Sequence, residues 1–328
     1  MLKILIIRFS SIGDLVLITA AIRCLKEQFP SCEIHLLVKP QYKEVLSANP
    51  NIGGIHIYGE SFIDTVTLLK VLQFDYVIDL QNNFRSRRLT MKLKKPSYKV
   101  RKHNFQKWLM VNFKMKQIQI PHFALRCIQT LKPLGVHDDG KGLDYYYDTP
   151  HIPGSMVPDT PYCCIVMGGT HFTKRLPNSK LVDLIEKIGF PVVLLGGPKE
   201  MDDAKWVEQK LYKKIYNNVG VLTLNQSALL MDKSTVVVSN DTGLMHIAAA
   251  LNKPLVSIWG NTTPQMGMTP YYGNESVKQY NAEVKGLSCR PCSKLGRDTC
   301  PKKHFKCMIY QDLDAIAKEI EVRSKAIR

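Results

Sequence analysis

No apolar run in this chain reaches the length needed to cross a bilayer, so a membrane-spanning helix is not expected. The apolar opening stops at Arg8 and no cleavage site follows it. It reads as a first β-strand and not a signal peptide, which points to a cytoplasmic protein whose nine cysteines are mostly reduced. G-x-G-x-x-G is missing: the turn after the first strand holds a single glycine, Gly13, so the dinucleotide fingerprint is excluded. There is no Walker A motif, no repeat and no low-complexity tract. The lone D-x-D triplet, Asp312-Leu-Asp314, lies in the terminal helix, far along the chain from the strand-tip clusters, so a metal-bridged diphosphate site is not indicated.

Acidic residues are scarce where basic ones concentrate. The stretch "NNFRSRRLTMKLKKPSYKVRKHNFQKWLMVNFKMK", residues 82–116, has twelve Lys or Arg and no carboxylate, within a chain of formal net charge +17. Such one-sidedness suggests an anion-binding surface, facing nucleic acid, an anionic membrane or a phosphorylated substrate. Interleaved Phe84, Tyr98, Phe105 and Trp108 would serve base stacking or the apolar sides of helices near a membrane.

What is present is a β-then-α alternation. "KILII", "EIHLLV" and "DYVIDL" are strand-like runs followed by helical stretches or loops, which argues for a parallel sheet covered by helices. Residues 135–161, rich in Gly, Pro and Asp, have the composition of a connector. The alternation then restarts with "YCCIVMGG", "PVVLLGG", "STVVVSND" and "PLVSIWG", with helices expected near 178–188, 200–214 and 243–251. Two Rossmann-like α/β lobes facing a central cleft follow, with boundaries at 1–155 and 156–310. A terminal amphipathic helix, 311–328, carries Leu313, Ile316 and Ile320 on one face.

Four short stretches are suited to chemistry. In "SNDTGLMHIAAALNKPLVSIWG", Asp241, Thr242 and Gly243 fall at a helix N-terminus on the carboxyl edge of a sheet, with His246 one turn in. Free N–H groups and the positive dipole end suit a phosphate there, although Asp241 as N-cap of a packed helix is the plainer alternative. "MGGTHFTKRLPNSK" offers Lys174 and Arg175 beyond a glycine-ended strand, placed to neutralise a diphosphate or simply to be solvated. "LLGGPKE" offers Glu200, either a ribose acceptor or an acid favoured by a helix dipole. At the N-terminus, Ser11-Ile-Gly-Asp14 reads both as a capping box and as a carboxylate at a strand tip where ligands dock. A fifth cluster, Cys289, Cys292, Cys300 and Cys307 with His304, is compatible with tetrahedral zinc without matching a standard finger, and equally with packed, reduced thiols.

"ILIIRFSSIGDLVLITAAI", "DLQNNFRSRR", "TKRLP", "GGPKE", "SNDTGLMHIAAALNKPLVSIWG" and "CRPCSKLGRDTCPKKHFKCM" fall in the order found in glycosyltransferase family 9, and the chain resembles that family almost end to end. The resemblance implies a GT-B fold whose terminal helix crosses back to the N-terminal lobe. It implies inverting, metal-independent transfer of a heptose from ADP-heptose to a phosphorylated, lipid-linked inner-core lipopolysaccharide acceptor. No cofactor and no nucleic acid are expected, and the enzyme should be peripheral at the anionic inner membrane. By the same resemblance Asp14 is similar to the catalytic base. Lys174, Glu200, Asp241, Thr242, Gly243 and His246 resemble the donor site. Ser11, Gly13, Asn83, Arg85 and Arg88 resemble the acceptor side. Leu176 departs from the family, which usually has Trp before the Pro of this loop. Other nucleotide-sugar transferases, an epimerase on the same scaffold and a basic nucleic-acid-binding protein are the rival readings.

Overall fold

The computed structural model describes residues 1–148, 151–275 and 279–325. The chain falls into two compact units, Met1–His103 with Pro121–Tyr147, and Asn104–Ile120 with Asp148–Arg328.

In the first unit the sheet strands are β1 (Lys3–Ile7), β2 (Glu33–Val38), β3 (Gly54–Ile57), β4 (Tyr76–Asp79) and β5 (Ser97–Lys99). Helices α1 (Ile12–Leu17), α2 (Thr19–Gln28), α3 (Phe62–Val71) and α4 (Phe84–Leu93) lie between them. The chain then forms α5 (Asn104–Asn112), grouped with the second unit, and α6 (Phe123–Thr130), which packs on α2. All pairings are parallel, in the order β3-β2-β1-β4-β5. β1, β2 and β4 read as near-continuous apolar runs because helices cover both faces of a parallel sheet. Leu5, Ile7, Leu37 and Val77 pack against Val66, Leu69 and Leu89 of the flanking helices. The Gly- and Asp-rich segment after α6 is tied down by Arg23 of α2, whose guanidinium reaches Asp139 at 2.7 Å and Asp144 at 2.6 Å.

The second unit has β6 (Cys163–Val166), α7 (Asn178–Lys187), β7 (Val192–Leu195), α8 (Met201–Lys210), β8 (Tyr216–Asn217) and α9 (Leu224–Lys233). β9 (Val236–Asn240), α10 (Gly243–Ala250), β10 (Leu255–Trp259), β11 (Gln279–Glu283), α11 (Lys306–Ile309) and α12 (Leu313–Lys325) follow. The parallel order is β11-β10-β9-β6-β7-β8. Each sheet reverses its strand order once, between β1 and β4 in the first and between β6 and β9 in the second, and ligands of open α/β sheets bind beyond the carboxyl ends of the strands at such reversals.

Two expectations change. The terminal helix was expected to return to the first lobe, yet Leu313, Ile316 and Ile320 of α12 are buried with Leu184, Ile185 and Val238 in the core of the second unit. That apolar face is satisfied by α7 and the second sheet. Residues 104–120, inside the sequence span assigned to the first lobe, belong to the second unit: Met110 and Ile120 are buried there with Met266.

Candidate active site

At the tip of β1 the apolar run gives way to Arg8, which is only 7% exposed. Its charge is held by three different acceptors. Nε donates to the Ser10 carbonyl at 2.9 Å, Nη1 to the Leu80 carbonyl beyond β4 at 2.7 Å, and Nη2 meets Asp14 Oδ1 at 2.6 Å. The guanidinium also lies over the Phe123 ring, 5.0 Å from its centroid. The other Asp14 oxygen accepts from the Ser11 backbone N–H and from the Ser11 hydroxyl, both at 3.0 Å. Burial pushes the Asp14 carboxyl up, but the Arg8 charge and the Ser11 hydrogen bonds outweigh it and hold the group below its ordinary value. Asp14 is therefore a firmly ionised carboxylate at the entrance of α1, where it closes the capping box by accepting the Ser11 N–H.

Asp79 at the end of β4 is fully buried and accepts from the Gln81 and Asn82 backbone N–H groups and the Ser86 hydroxyl, at 3.1, 2.6 and 2.8 Å. Burial nonetheless raises its pKa. It fixes the turn into α4. Asn83 caps that helix, its side-chain oxygen accepting the Ser86 N–H at 3.0 Å, so the group expected to meet an acceptor is committed to the cap. Ser11 is exposed, Gly13 is buried in α1, and Arg85 is exposed on α4. Arg88 lies over the Phe62 ring at 4.3 Å.

The cations that share the field of Asp14 were not among those expected. Lys102 is lowered by burial and then by the Arg8 charge, and it also senses Asp79, Arg87 and Asp14. Arg126 is likewise lowered by burial, with Arg8 and Asp14 in its field. Arg126 donates from Nη1 to the Arg101 carbonyl at 2.8 Å and lies, like Arg8, 5.0 Å from the centroid of Phe123. The only sequence signal for Arg8 was its position, an arginine directly closing an apolar strand.

The second strand-order reversal carries the other cluster. Asn240 ends β9, and its amide nitrogen donates to the Met167 and Gly168 carbonyls at 3.1 and 3.3 Å while its oxygen accepts the Leu176 N–H at 3.3 Å. One side chain thus binds the tip of β6, the following loop and β9. In that loop Lys174 Nζ meets Asp241 Oδ2 at 2.7 Å, and the same oxygen accepts the Thr262 hydroxyl at 2.8 Å. Thr242, not Asp241, is the N-cap residue of α10, with extended backbone and its hydroxyl 3.2 Å from that of Ser239. Gly243 opens the helix, and the buried His246 follows one turn in. The first N–H groups of α10 have no intrahelical acceptors, so this end is positive and donor-rich.

Glu200 is buried where the turn after β7 enters α8, accepting the Gly197 N–H at 2.9 Å and pairing with Arg175 at 2.9 Å. Arg175 Nε also donates to the Gly169 carbonyl at 2.7 Å, so it clamps the glycine-ended tip of β6 to Glu200. A Cβ on Gly168 would lie 3.3 Å from Glu200 Oε2, so a side chain there would press on that carboxylate. At Gly260, after β10, a Cβ would fall 2.5 Å from the Thr173 carbonyl oxygen, directly before Lys174. Leu176 points into the core, buried among residues such as Ile165 and Leu181.

The cysteine cluster is loose. Cys289 Sγ lies 3.9 Å from His304 Nε2, but among the described residues no three of Cys289, Cys292, Cys300, Cys307 and His304 bring ligand atoms within 4.8 Å of one another. Burial raises Cys292, and pushes Cys307 up to about 11, which keeps it a thiol. Cys307 lies in the field of Cys289, Cys292 and Cys300, so the four thiols share one region. The D-x-D pair is also committed elsewhere: Asp312 Oδ1 accepts the Ala315 N–H at 3.0 Å and Asp314 pairs with Lys187 at 2.6 Å.

Comparison with known proteins gives the family and the fold. Residues 66–297 match the family model for glycosyltransferase family 9 (heptosyltransferase). Lipooligosaccharide heptosyltransferase 2 of Haemophilus ducreyi is 27% identical over 84% of this chain and 88% of its own length. The enzyme of the same name from Haemophilus influenzae is 37% identical, over 28% of this chain and 29% of that protein. The solved structure of E. coli ADP-heptose lps heptosyltransferase II superposes with a TM-score of 0.71 at 19% identity, covering 99% of both chains. The two parallel α/β units make a GT-B fold. The chain belongs to glycosyltransferase family 9, the heptosyltransferase family.

Proposed function

We propose that this protein transfers a heptose from ADP-heptose to a phosphorylated, lipid-linked inner-core lipopolysaccharide acceptor, with inversion at the anomeric carbon and no metal. The observation that carries the donor half is the Lys174–Asp241 pair beside the N-terminus of α10, at the strand-order reversal of the second sheet. Lys174 and the α10 amides supply positive charge where a diphosphate leaves, the role a metal plays in other transferases. The commitment of Asp312 and Asp314 to a helix cap and an ion pair supports a reaction without a D-x-D metal bridge. Thr242 and Gly243 bring hydroxyl and bare backbone to the phosphates, and Glu200 and His246 flank the nucleoside side.

The acceptor hydroxyl attacks the anomeric carbon as the bond to the diphosphate oxygen breaks on the opposite face. Asp14 receives the hydroxyl proton, and ADP leaves with the bonding electron pair. A carboxylate this strongly stabilised is a weak base, so it takes the proton late, when the sugar has oxocarbenium character and the attacking hydroxyl has become acidic. Arg8, Lys102 and Arg126, together with the exposed Arg85 and Arg88, favour an acidic acceptor. The same charge draws a cytoplasmic enzyme to the anionic inner membrane where such an acceptor is embedded.

Calorimetric titration with ADP, UDP, GDP and NAD, without metal, tests the donor half. ADP alone is expected to bind, and Lys174→Ala to weaken it by about 1.5 kcal/mol or more, the value of a charge-assisted hydrogen bond. Tight UDP or GDP binding would change the sugar nucleotide, and no nucleotide binding would remove the donor site.

A further inference from the structure

Between Asp79 and Asp138 the chain has no carboxylate, and within that span residues 104–120 join the second unit. The inner side of this segment is anchored: Met110 is buried with Ile120 and Met266, Ile120 N–H donates to the Gln265 carbonyl at 3.0 Å, and Lys114 Nζ to the Pro291 carbonyl at 2.8 Å. Its outer side is aromatic. Phe105 is 68% exposed, Trp108 43% and Phe113 64%. Phe105 and Trp108 stack with centroids 6.1 Å apart, and Phe113 meets Trp108 edge-on at 5.2 Å, so the three form one apolar ridge. Lys107 and the exposed Lys116 flank it in sequence, while Lys114 is turned inward to Pro291.

A cluster of solvent-facing phenylalanines and a tryptophan, on α5 and the residue after it, marks a surface that something covers. We infer that the ridge of Phe105, Trp108 and Phe113 is a membrane-docking wedge that enters the interface of an anionic bilayer, with Lys107 and Lys116 at headgroup level. The inference deepens the reading of a membrane-borne acceptor and rests on it for its purpose, not for its evidence. Trp and Phe favour the boundary between headgroups and acyl chains, and lysines beside them add attraction to anionic lipid. The surface disfavours a second copy of the chain, because a two-fold contact would set this acid-free, lysine-bearing segment against itself. The rings also pack on one another, which leaves no separated platforms for splayed bases.

The test uses the full chain with sedimented vesicles of phosphatidylethanolamine and phosphatidylglycerol, against vesicles of phosphatidylcholine alone. The wild type should partition onto the anionic vesicles, and Phe105→Ser/Trp108→Ser/Phe113→Ser should weaken that partition by about tenfold or more. In a Trp206→Phe background, brominated lipid should quench Trp108, since Trp259 is buried. If the triple variant unfolds, Phe105→Ser alone, at the most exposed ring, should show a smaller loss in the same direction. Unchanged partition, unquenched Trp108, a dimer that the triple variant dissociates, or single-stranded DNA binding that it abolishes would each overturn the wedge. Transfer to a delipidated core oligosaccharide should be untouched by the triple variant, and an equal loss on soluble and membrane acceptors would also overturn it. Wild-type protein that partitions as expected but transfers to neither acceptor would sink the transferase reading and leave the wedge standing.

Discussion

The two sheets present the same device at their strand-order reversals and use opposite ends of it. At β1 the pair is Arg8 and Asp14, 2.6 Å apart; at β9 it is Lys174 and Asp241, 2.7 Å apart. In the first unit the arginine is the fixture, immobilised by two carbonyls and a ring, and the carboxylate is held out at the helix entrance. In the second the carboxylate is the fixture, bound also by Thr262, and the lysine is the group on offer. A cation–carboxylate pair at a sheet edge is thus a neutral description of two different tools. The deeper-buried partner is the fixture, Arg8 in one pair and Asp241 in the other, and its less buried mate is left for a substrate.

The largest expected effect breaks the first tool. Asp14→Asn should lower kcat by about a hundredfold or more, the range for loss of a general base, with ADP affinity unchanged by calorimetry. An equal loss of ADP affinity would move Asp14 out of the acceptor half. The same variant has a signature in stability. Because Asp14 titrates lower in the folded chain than unfolded, its contribution is whole above the ordinary carboxylate range and fades as pH falls through the depressed folded value. Acid melts of Asp14→Asn should therefore lose part of their slope on that side.

A smaller effect sharpens the division of labour within the pair. Arg8→Gln removes the charge that opposes the burial of Asp14, so the carboxyl pKa rises and the acidic limb of the kcat/KM profile moves to higher pH. An acidic limb that stays in place would show that Arg8 only packs. The smallest effect belongs to the second unit. Glu200→Gln keeps an acceptor for Gly197 N–H but loses the Arg175 ion pair, and it should raise the donor KM by about threefold to tenfold with kcat retained.

Strands buried on both faces were plain in the sequence, because covering helices make β1, β2, β4, β6, β7, β9 and β10 apolar along most of their length. The strands that escaped notice, β3, β5, β8 and β11, are edge strands or next to the edge, short or half-exposed, with Gly, Ser, Lys, Asn or Gln in place of the apolar run. The helix start near Thr242 was legible, but the use of Asn83 as a cap was not, since a cap and a ligand contact need the same residue types. Arg8, Lys102 and Arg126 come together only once β1 lies beside β4 and α6 folds back, so no local pattern marks them. Nor does composition change at residue 104, where the chain joins the second unit.

Gly260 has no side chain and touches no substrate in the proposed reaction, yet it stands where a methyl group would fall 2.5 Å from the carbonyl of Thr173. Every library of variants that demands a working Lys174 should therefore return glycine at this position. The cation's address is written into the chain eighty-six positions away from it, as a vacancy that selection must keep open.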